Sequence, residues 1–140
     1  MTKQLSTERW NELLNYALFN NYKIISVGYK HKLANINLIN TDPVDFMYLI
    51  RNAEIILTNM FHGFILSLQN RKKVHLFFDE YRKNKLGFYL EYFDLKNIVI
   101  LDNETLEDNF SKKNIDYTLL NAFFDQKLLM SKQYLLNNLV

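Results

Sequence analysis

Apolar positions along the chain change their spacing several times, and each change predicts an element. Trp10, Leu13, Leu14, Ala17 and Leu18 recur at i, i+3, i+4, i+7 and i+8, which predicts a helix capped by Ser6 or Thr7 and ended at Asn20–Asn21. KIISVGY (23–29) is rich in β-branched and aromatic residues and predicts a strand, with INLIN (36–40) a short second one. Asp42 and Pro43 open a further helix, because proline costs nothing at the first helical position. Val44, Met47, Tyr48 and Arg51 continue one face of it towards Ala53. EIILT (54–58) has the unbroken apolar character of a strand buried on both faces. After it, FILSLQN (64–70) predicts a helix and KKVHLFF (72–78) a strand. Leu86, Leu90 and Phe93 predict a helix despite Gly87, NIVIL (97–101) a strand, and residues 115–139 a long amphipathic helix. Strands alternating with helices predict an α/β fold, a Rossmann-like parallel sheet flanked by helices on both faces.

Composition narrows the class without naming a function. The 140 residues fit one domain, 1–140, large enough for a single sizeable core. A formal charge of +2 gives no bulk electrostatic reason to expect a nucleic-acid partner. The absence of cysteine removes disulfide frameworks and thiolate zinc sites and fits a reducing compartment. No apolar run reaches the roughly 18 residues a membrane span needs. The first twenty residues carry Glu8 and Glu12 and no small-residue cleavage site, so they do not read as a signal peptide. A cytoplasmic location is the expectation.

The stretch that could carry chemistry is Thr58–Gly63, between the predicted strand 54–58 and the helix after it. In a parallel α/β sheet, ligands bind beyond the carboxyl ends of the strands, where turns open into helices. The first turn of a helix presents unpaired N–H groups and partial positive charge, a seat for phosphate or carboxylate. Gly63 would let a ligand approach the backbone, and His62 would stand beside that anion with an imidazole able to give or take a proton near neutral pH. From spacing alone the simpler reading is favoured, with His62 capping a turn and Gly63 relieving a tight strand–helix junction.

Three further features bear on function. His31 lies among lysines in GYKHKLANIN and is expected in a solvated loop, while His75 alternates with Val74 and Leu76 as a satisfied or edge histidine of a strand. No two of the three histidines have metal-ligand spacing with carboxylates, and Gly28 lacks the companions of a dinucleotide fingerprint or P-loop, so neither metal nor cofactor is expected. Phe77, Phe78, Tyr81, Phe88, Tyr89, Tyr92 and Phe93 interleave with basic residues in a way that could stack bases, but core packing explains them more cheaply. Surplus apolar surface would face a missing half or a second copy of the chain.

LIRNAEIILTNMFHGFILSLQNRKKVHLFF (49–78) resembles the core of the polysaccharide pyruvyl transferase family. Its pattern is a helix ending in alanine and an acidic residue, an apolar strand, Ser-Phe-His-Gly, and a serine in the next helix. Ala53–Glu54, Ile55–Thr58, Phe61–His62–Gly63 and Ser67 match it. IDYTLLNAFFDQKLLMSKQYLLNNL (115–139) resembles the family's closing helix, and NKLGFYLEYFDL (84–95) a segment that usually begins on a basic residue.

The resemblance implies the C-terminal half of a GT-B fold; at this length the N-terminal half is expected to be absent, and because the chain opens on a helix so is the first strand of the C-terminal half. It implies transfer of the enolpyruvyl unit of phosphoenolpyruvate to a lipid- or nucleotide-linked saccharide, leaving a pyruvate ketal and free phosphate, in bacterial surface polysaccharide synthesis. In that role His62 is catalytic, and Thr58, Asn59, Gly63, Arg82 and Lys85 bind the donor. Lys85 stands where the family often has arginine, with Arg82 three residues away; a lysine cannot make the same bidentate contact. Met60 replaces the family's serine, and Lys73–Val74 stand where a proline usually opens the strand. The alternatives are a GT-B glycosyltransferase half that binds a sugar nucleotide, or a non-catalytic binding or assembly module. A homo-oligomer is compatible with all three.

Overall fold

The structure, a computed structural model, describes residues 5–77, 83–111 and 115–139. Helix α1 (Thr7–Phe19) begins where local chemistry dictates: Ser6 stays extended and its hydroxyl accepts the Arg9 N–H at 3.2 Å. The choice between Ser6 and Thr7 as cap is thereby decided for Ser6. The helix ends at Asn20, and Asn21 takes the left-handed conformation that asparagine tolerates (φ 56°).

Strands β1 (Ile25–Val27) and β2 (Ile36–Leu38) pair in parallel, Ile25 opposite Ile36. Parallel neighbours normally need a crossover of about a dozen residues or more; here residues 28–35 return without a helix. Gly28 (φ 86°) starts the reversal in a conformation that costs glycine little. Side chains then hold the loop. Asn35 accepts the Ile24 N–H at 2.7 Å, Asn37 accepts the His31 N–H at 2.8 Å, and Ser26 donates to the Tyr29 carbonyl at 2.8 Å. His31 is therefore no solvated loop residue. Its ring stacks on Trp10 of α1 with centroids 3.6 Å apart, and its Nδ1 accepts the Leu33 N–H.

Helix α2 (Pro43–Asn52) carries Pro43 at its first position and Asp42 as cap, the Asp42 carboxylate accepting the Asp45 N–H at 2.8 Å. It leads into β3 (Ile55–Thr58), α3 (Phe61–Gln69) and β4 (Lys73–Leu76). β3 and β4 are parallel, Ile55 opposite Lys73 through Thr58 opposite Leu76. Phe64 and Leu68 of α3 and Val74 and Leu76 of β4 form the main core with Leu86, Leu90, Phe93, Leu95, Ile98 and Leu120. A smaller cluster gathers Trp10, Ala17 and Ile24. The α/β expectation holds, and every described strand pairing is parallel. Those strands form two pairs, with no ladder joining the pairs among the described residues.

NIVIL does not form the expected strand. Lys96–Ile98 turns as a short 3-10 helix, and only Val99 bridges to Leu76, with the Ile100 N–H on the Leu76 carbonyl. The cause is distant in sequence: the buried Asn109 amide donates to the Val99 carbonyl (3.1 Å), to the Asn97 carbonyl (3.5 Å) and to Glu104 (2.9 Å). It occupies acceptors that a strand partner would use. Asn109 belongs to α5 (Leu106–Ser111), which the apolar spacing does not reveal. Glu12 of α1 accepts the Leu106 N–H at the start of α5, and Arg9 donates to the carbonyls of Leu101 (2.7 Å) and Glu104 (2.6 Å). These bonds fasten the first helix to the later part of the chain.

Helix α4 (Lys83–Tyr92) accommodates Gly87 in open space, with nothing near the position of a side chain. Helix α6 (Tyr117–Asn138) is capped by Asp116 and packs only at its start, where Leu120 is buried and Tyr117, Phe123 and Phe124 are half-buried. Leu128, Leu129, Met130, Tyr134, Leu135, Leu136 and Leu139 are exposed, and they are spread around the helix rather than lined up on one face. The expected long helix is present, but it is not amphipathic: only its first turns pack on the core, and its second half carries apolar side chains to solvent. No helix among the described residues is long and apolar enough to cross a membrane. Of the aromatic residues after β4, Tyr89, Tyr92 and Phe93 pack on Phe123, although Tyr92, like Phe88, keeps much of its surface exposed. Phe78 and Tyr81 lie outside the described residues.

Candidate functional site

The turn from β3 into α3 is held by two side chains acting on the backbone, Thr58 and Ser67. Met60 is the N-cap residue, extended (φ −100°, ψ 135°), and its side chain makes no capping hydrogen bond. The first bond of the helix runs from the Phe64 N–H to the Met60 carbonyl at 2.9 Å. The N–H groups of Phe61, His62 and Gly63 consequently have no acceptor within the helix. They point out of its N-terminal end, where the peptide dipoles concentrate positive charge.

Thr58, the last residue of β3, turns its Oγ1 onto this segment and accepts the Met60 N–H at 3.0 Å. The same oxygen explains why residue 63 is glycine. A Cβ there would sit 2.8 Å from it, closer than real side chains approach. On the other side of Gly63, the buried Ser67 hydroxyl donates to the Gly63 carbonyl at 2.6 Å. Gly63 is therefore held from two directions, and the residue before it inherits that order.

His62 is exposed in the first turn of α3, its ring 5.7 Å from that of Phe61 and nearly perpendicular to it. Asn59 is buried beneath the turn. The Lys85 ammonium lies 4.4 Å from the centroid of the Phe61 ring, a cation–π contact that brings a charge from α4 to the first turn of α3. Phe61 also packs against Tyr89, one turn further along α4. The fold thus gathers Thr58, Asn59, His62, Gly63 and Lys85 around one helix end. Arg82 lies outside the described residues.

Phe61 is the participant that sequence reasoning passed over. It was legible only as part of a motif, yet its ring connects His62 to Lys85. Ser67 likewise shows its purpose only once its hydroxyl is seen four residues back on Gly63. His75 is no edge residue: it is buried in β4 opposite Leu57, with the Phe110 ring 4.7 Å away, and does not reach this turn's solvent side. Arg71 is exposed after α3, and Lys72 and Lys73 are half-buried, the Lys72 carbonyl accepting the Tyr117 hydroxyl. Burial raises the Tyr117 pKa to about 12.

Such a helix end, with three outward N–H groups, an ammonium and an exposed imidazole, can seat a small anion and exchange protons with it. A family model described as polysaccharide pyruvyl transferase aligns with residues 5–77. The aligned span runs from the cap of α1 through the residue after β4 and contains the whole Thr58–Ser67 turn, but stops before Lys85 and α6. No curated protein and no solved structure matches the chain.

Proposed function

The chain belongs to the polysaccharide pyruvyl transferase family, and from that premise we propose that the β3–α3 turn binds phosphoenolpyruvate for transfer of its pyruvyl unit to a saccharide. The supporting observation is the exposed His62 beside a helix N-terminus that has no side-chain cap, with Lys85 drawn in over Phe61. Phosphoenolpyruvate offers both a phosphate and a carboxylate, and this helix end offers backbone N–H groups and an ammonium to meet them.

In the proposed reaction His62, as imidazolium, gives a proton to the donor's methylene carbon, and positive charge develops at the neighbouring carbon. A sugar hydroxyl attacks that carbon and returns its proton to His62. Phosphate then leaves with the carbon–oxygen bond electrons, and a second sugar hydroxyl closes the ketal, its proton ending on the phosphate. One hydroxyl proton finishes in the new methyl group and one on phosphate, so the exchange balances without a cofactor or metal. The helix end and Lys85 would stabilise the departing anion. Thr58, Asn59 and Gly63 shape the seat, and Arg82 is a further candidate cation.

In this reading residues 1–140 are one Rossmann-like unit equivalent to the C-terminal half of a GT-B enzyme, the acceptor site lying on another half or on a partner. The reaction would belong to bacterial surface polysaccharide synthesis in the cytoplasm, on a lipid- or nucleotide-linked saccharide. The test is ligand-induced thermal stabilisation by phosphoenolpyruvate against a UDP-sugar, repeated on His62→Ala. Stabilisation by phosphoenolpyruvate alone, weakened in His62→Ala, supports the proposal. A response only to the UDP-sugar favours a glycosyltransferase half, and no response to either favours a binding module.

A further inference from the structure

We infer that Thr58 is a positioning residue: its hydroxyl orders the entry into α3, where Met60 supplies no side-chain cap, and thereby fixes the rotation of the turn that carries His62 while leaving the first-turn N–H groups free. A helix start normally takes a Ser, Thr, Asp or Asn side chain at the cap to order its first turn. At α3 that place is held by a methionine that is 52% exposed and bonds to no backbone group. The ordering comes instead from two residues upstream. Thr58 Oγ1 accepts the Met60 N–H, which sets the entry of the chain into the helix. The same atom occupies the space a side chain on Gly63 would need, 2.8 Å from the position of its Cβ.

One oxygen therefore touches the turn on both sides of His62, at residues 60 and 63. Because threonine is branched at Cβ, its side chain has few alternative rotamers, and the strand that carries it is paired: the Phe77 N–H donates to the Thr58 carbonyl at 3.2 Å. From below, the Ser67 hydroxyl holds the Gly63 carbonyl. His62 is exposed, and its only ring neighbour among the described aromatic contacts is Phe61. Its direction is set chiefly by this backbone clamp rather than by packing around the imidazole.

The consequence for catalysis rests on the proposed function, but the clamp does not. The test uses the full chain and two measurements. The first is made without ligand: the hydrogen-exchange protection of the Met60 amide and the NMR signals of the His62 ring. Thr58→Val keeps the branched shape and removes the acceptor; Met60 protection is expected to fall about fivefold, with the His62 ring signals displaced. Thr58→Ser keeps the acceptor and should stay near wild type in both. Gly63→Ala pushes the same oxygen aside while leaving the hydroxyl in place, and should reproduce the Thr58→Val signature; it also decides the matter if Thr58→Val does not fold.

The second measurement is phosphoenolpyruvate-induced stabilisation, expected to weaken in Thr58→Val and return in Thr58→Ser. If wild type does not respond to phosphoenolpyruvate, the proposed function fails while the ligand-free signatures still decide the clamp. Unchanged Met60 protection and His62 signals in both Thr58→Val and Gly63→Ala would overturn the inference. So would a Thr58→Ser that behaves like Thr58→Val.

Discussion

Gly63→Ala should destabilise the protein, and the same substitution should stabilise it once Thr58 has been cut back to alanine. In the wild-type background the new Cβ meets Thr58 Oγ1 at 2.8 Å, so the hydroxyl must leave its place. That forfeits its bond from the Met60 N–H, about 0.5–1 kcal/mol because water can partly substitute at this exposed residue. Holding a β-branched side chain off its rotamer costs about 1 kcal/mol more. Against this, alanine in a helix is better than glycine by about 0.5–1 kcal/mol. The net is a loss of about 1 kcal/mol, or roughly 3 °C in melting temperature for a chain of this size.

With Thr58→Ala the offending oxygen is gone. The nearest remaining atom, the residue 58 Cβ, stands 3.5 Å away in ordinary contact. Only the propensity gain of about 0.5–1 kcal/mol is left, so the sign reverses. Urea denaturation followed by circular dichroism on the four proteins of this cycle measures the coupling, expected at about 2 kcal/mol. Equal destabilisation by Gly63→Ala in both backgrounds would refute the argument that Thr58 is what excludes a side chain at residue 63.

Other residues offer independent checks. Lys85→Met should weaken phosphoenolpyruvate binding about fivefold in calorimetry at low salt, with Lys85→Arg retaining most of it; equal affinity in Lys85→Met would remove Lys85 from the site. Arg9, which bridges Glu12 to the Leu101 and Glu104 carbonyls, should cost roughly 2–3 kcal/mol when changed to alanine, and Arg9→Lys should recover only part because it lacks the fork. A urea midpoint for Arg9→Ala near that of wild type would show the bridge to be incidental. Tyr117, whose pKa burial raises to about 12, is protonated more tightly folded than unfolded. Its contribution is present in full below about pH 10 and is lost as pH rises towards 12, so Tyr117→Phe should flatten the alkaline fall in stability. An unchanged alkaline slope in Tyr117→Phe would contradict that.

Much of this architecture is local chemistry and was therefore legible. The hydroxyl of Ser6 and the carboxylate of Asp42 each cap a helix through an N–H three residues on, and Pro43 marks the first turn of α2. The strand, turn and helix around His62 follow from an apolar run broken by residues 59–63. What escaped was decided at long range. NIVIL has strand composition, but Asn109 takes its carbonyls from ten or more residues away. Helix α5 is too short for a periodic signal and is started by Glu12, 94 residues earlier. His31 reads as a basic loop until Trp10 is found beneath its ring. In α6 the apolar residues continue beyond Phe124 but are exposed, so the tally of leucines overstated its packing. At the site, the histidine and glycine were visible as a motif, whereas the purpose of Thr58 was not, because a contact between residues 58 and 63 across a strand–helix turn leaves no spacing rule.

The central claim is that phosphoenolpyruvate sits at the N-terminus of α3 beside His62. Its most direct test is a residue-resolved NMR titration of the chain with phosphoenolpyruvate, run beside His62→Ala. The account predicts saturable shifts centred on the amides of Phe61, His62 and Gly63 and reaching Lys85, reduced in His62→Ala and not reproduced by a UDP-sugar. No shifts, or shifts confined to residues away from this turn, would contradict it.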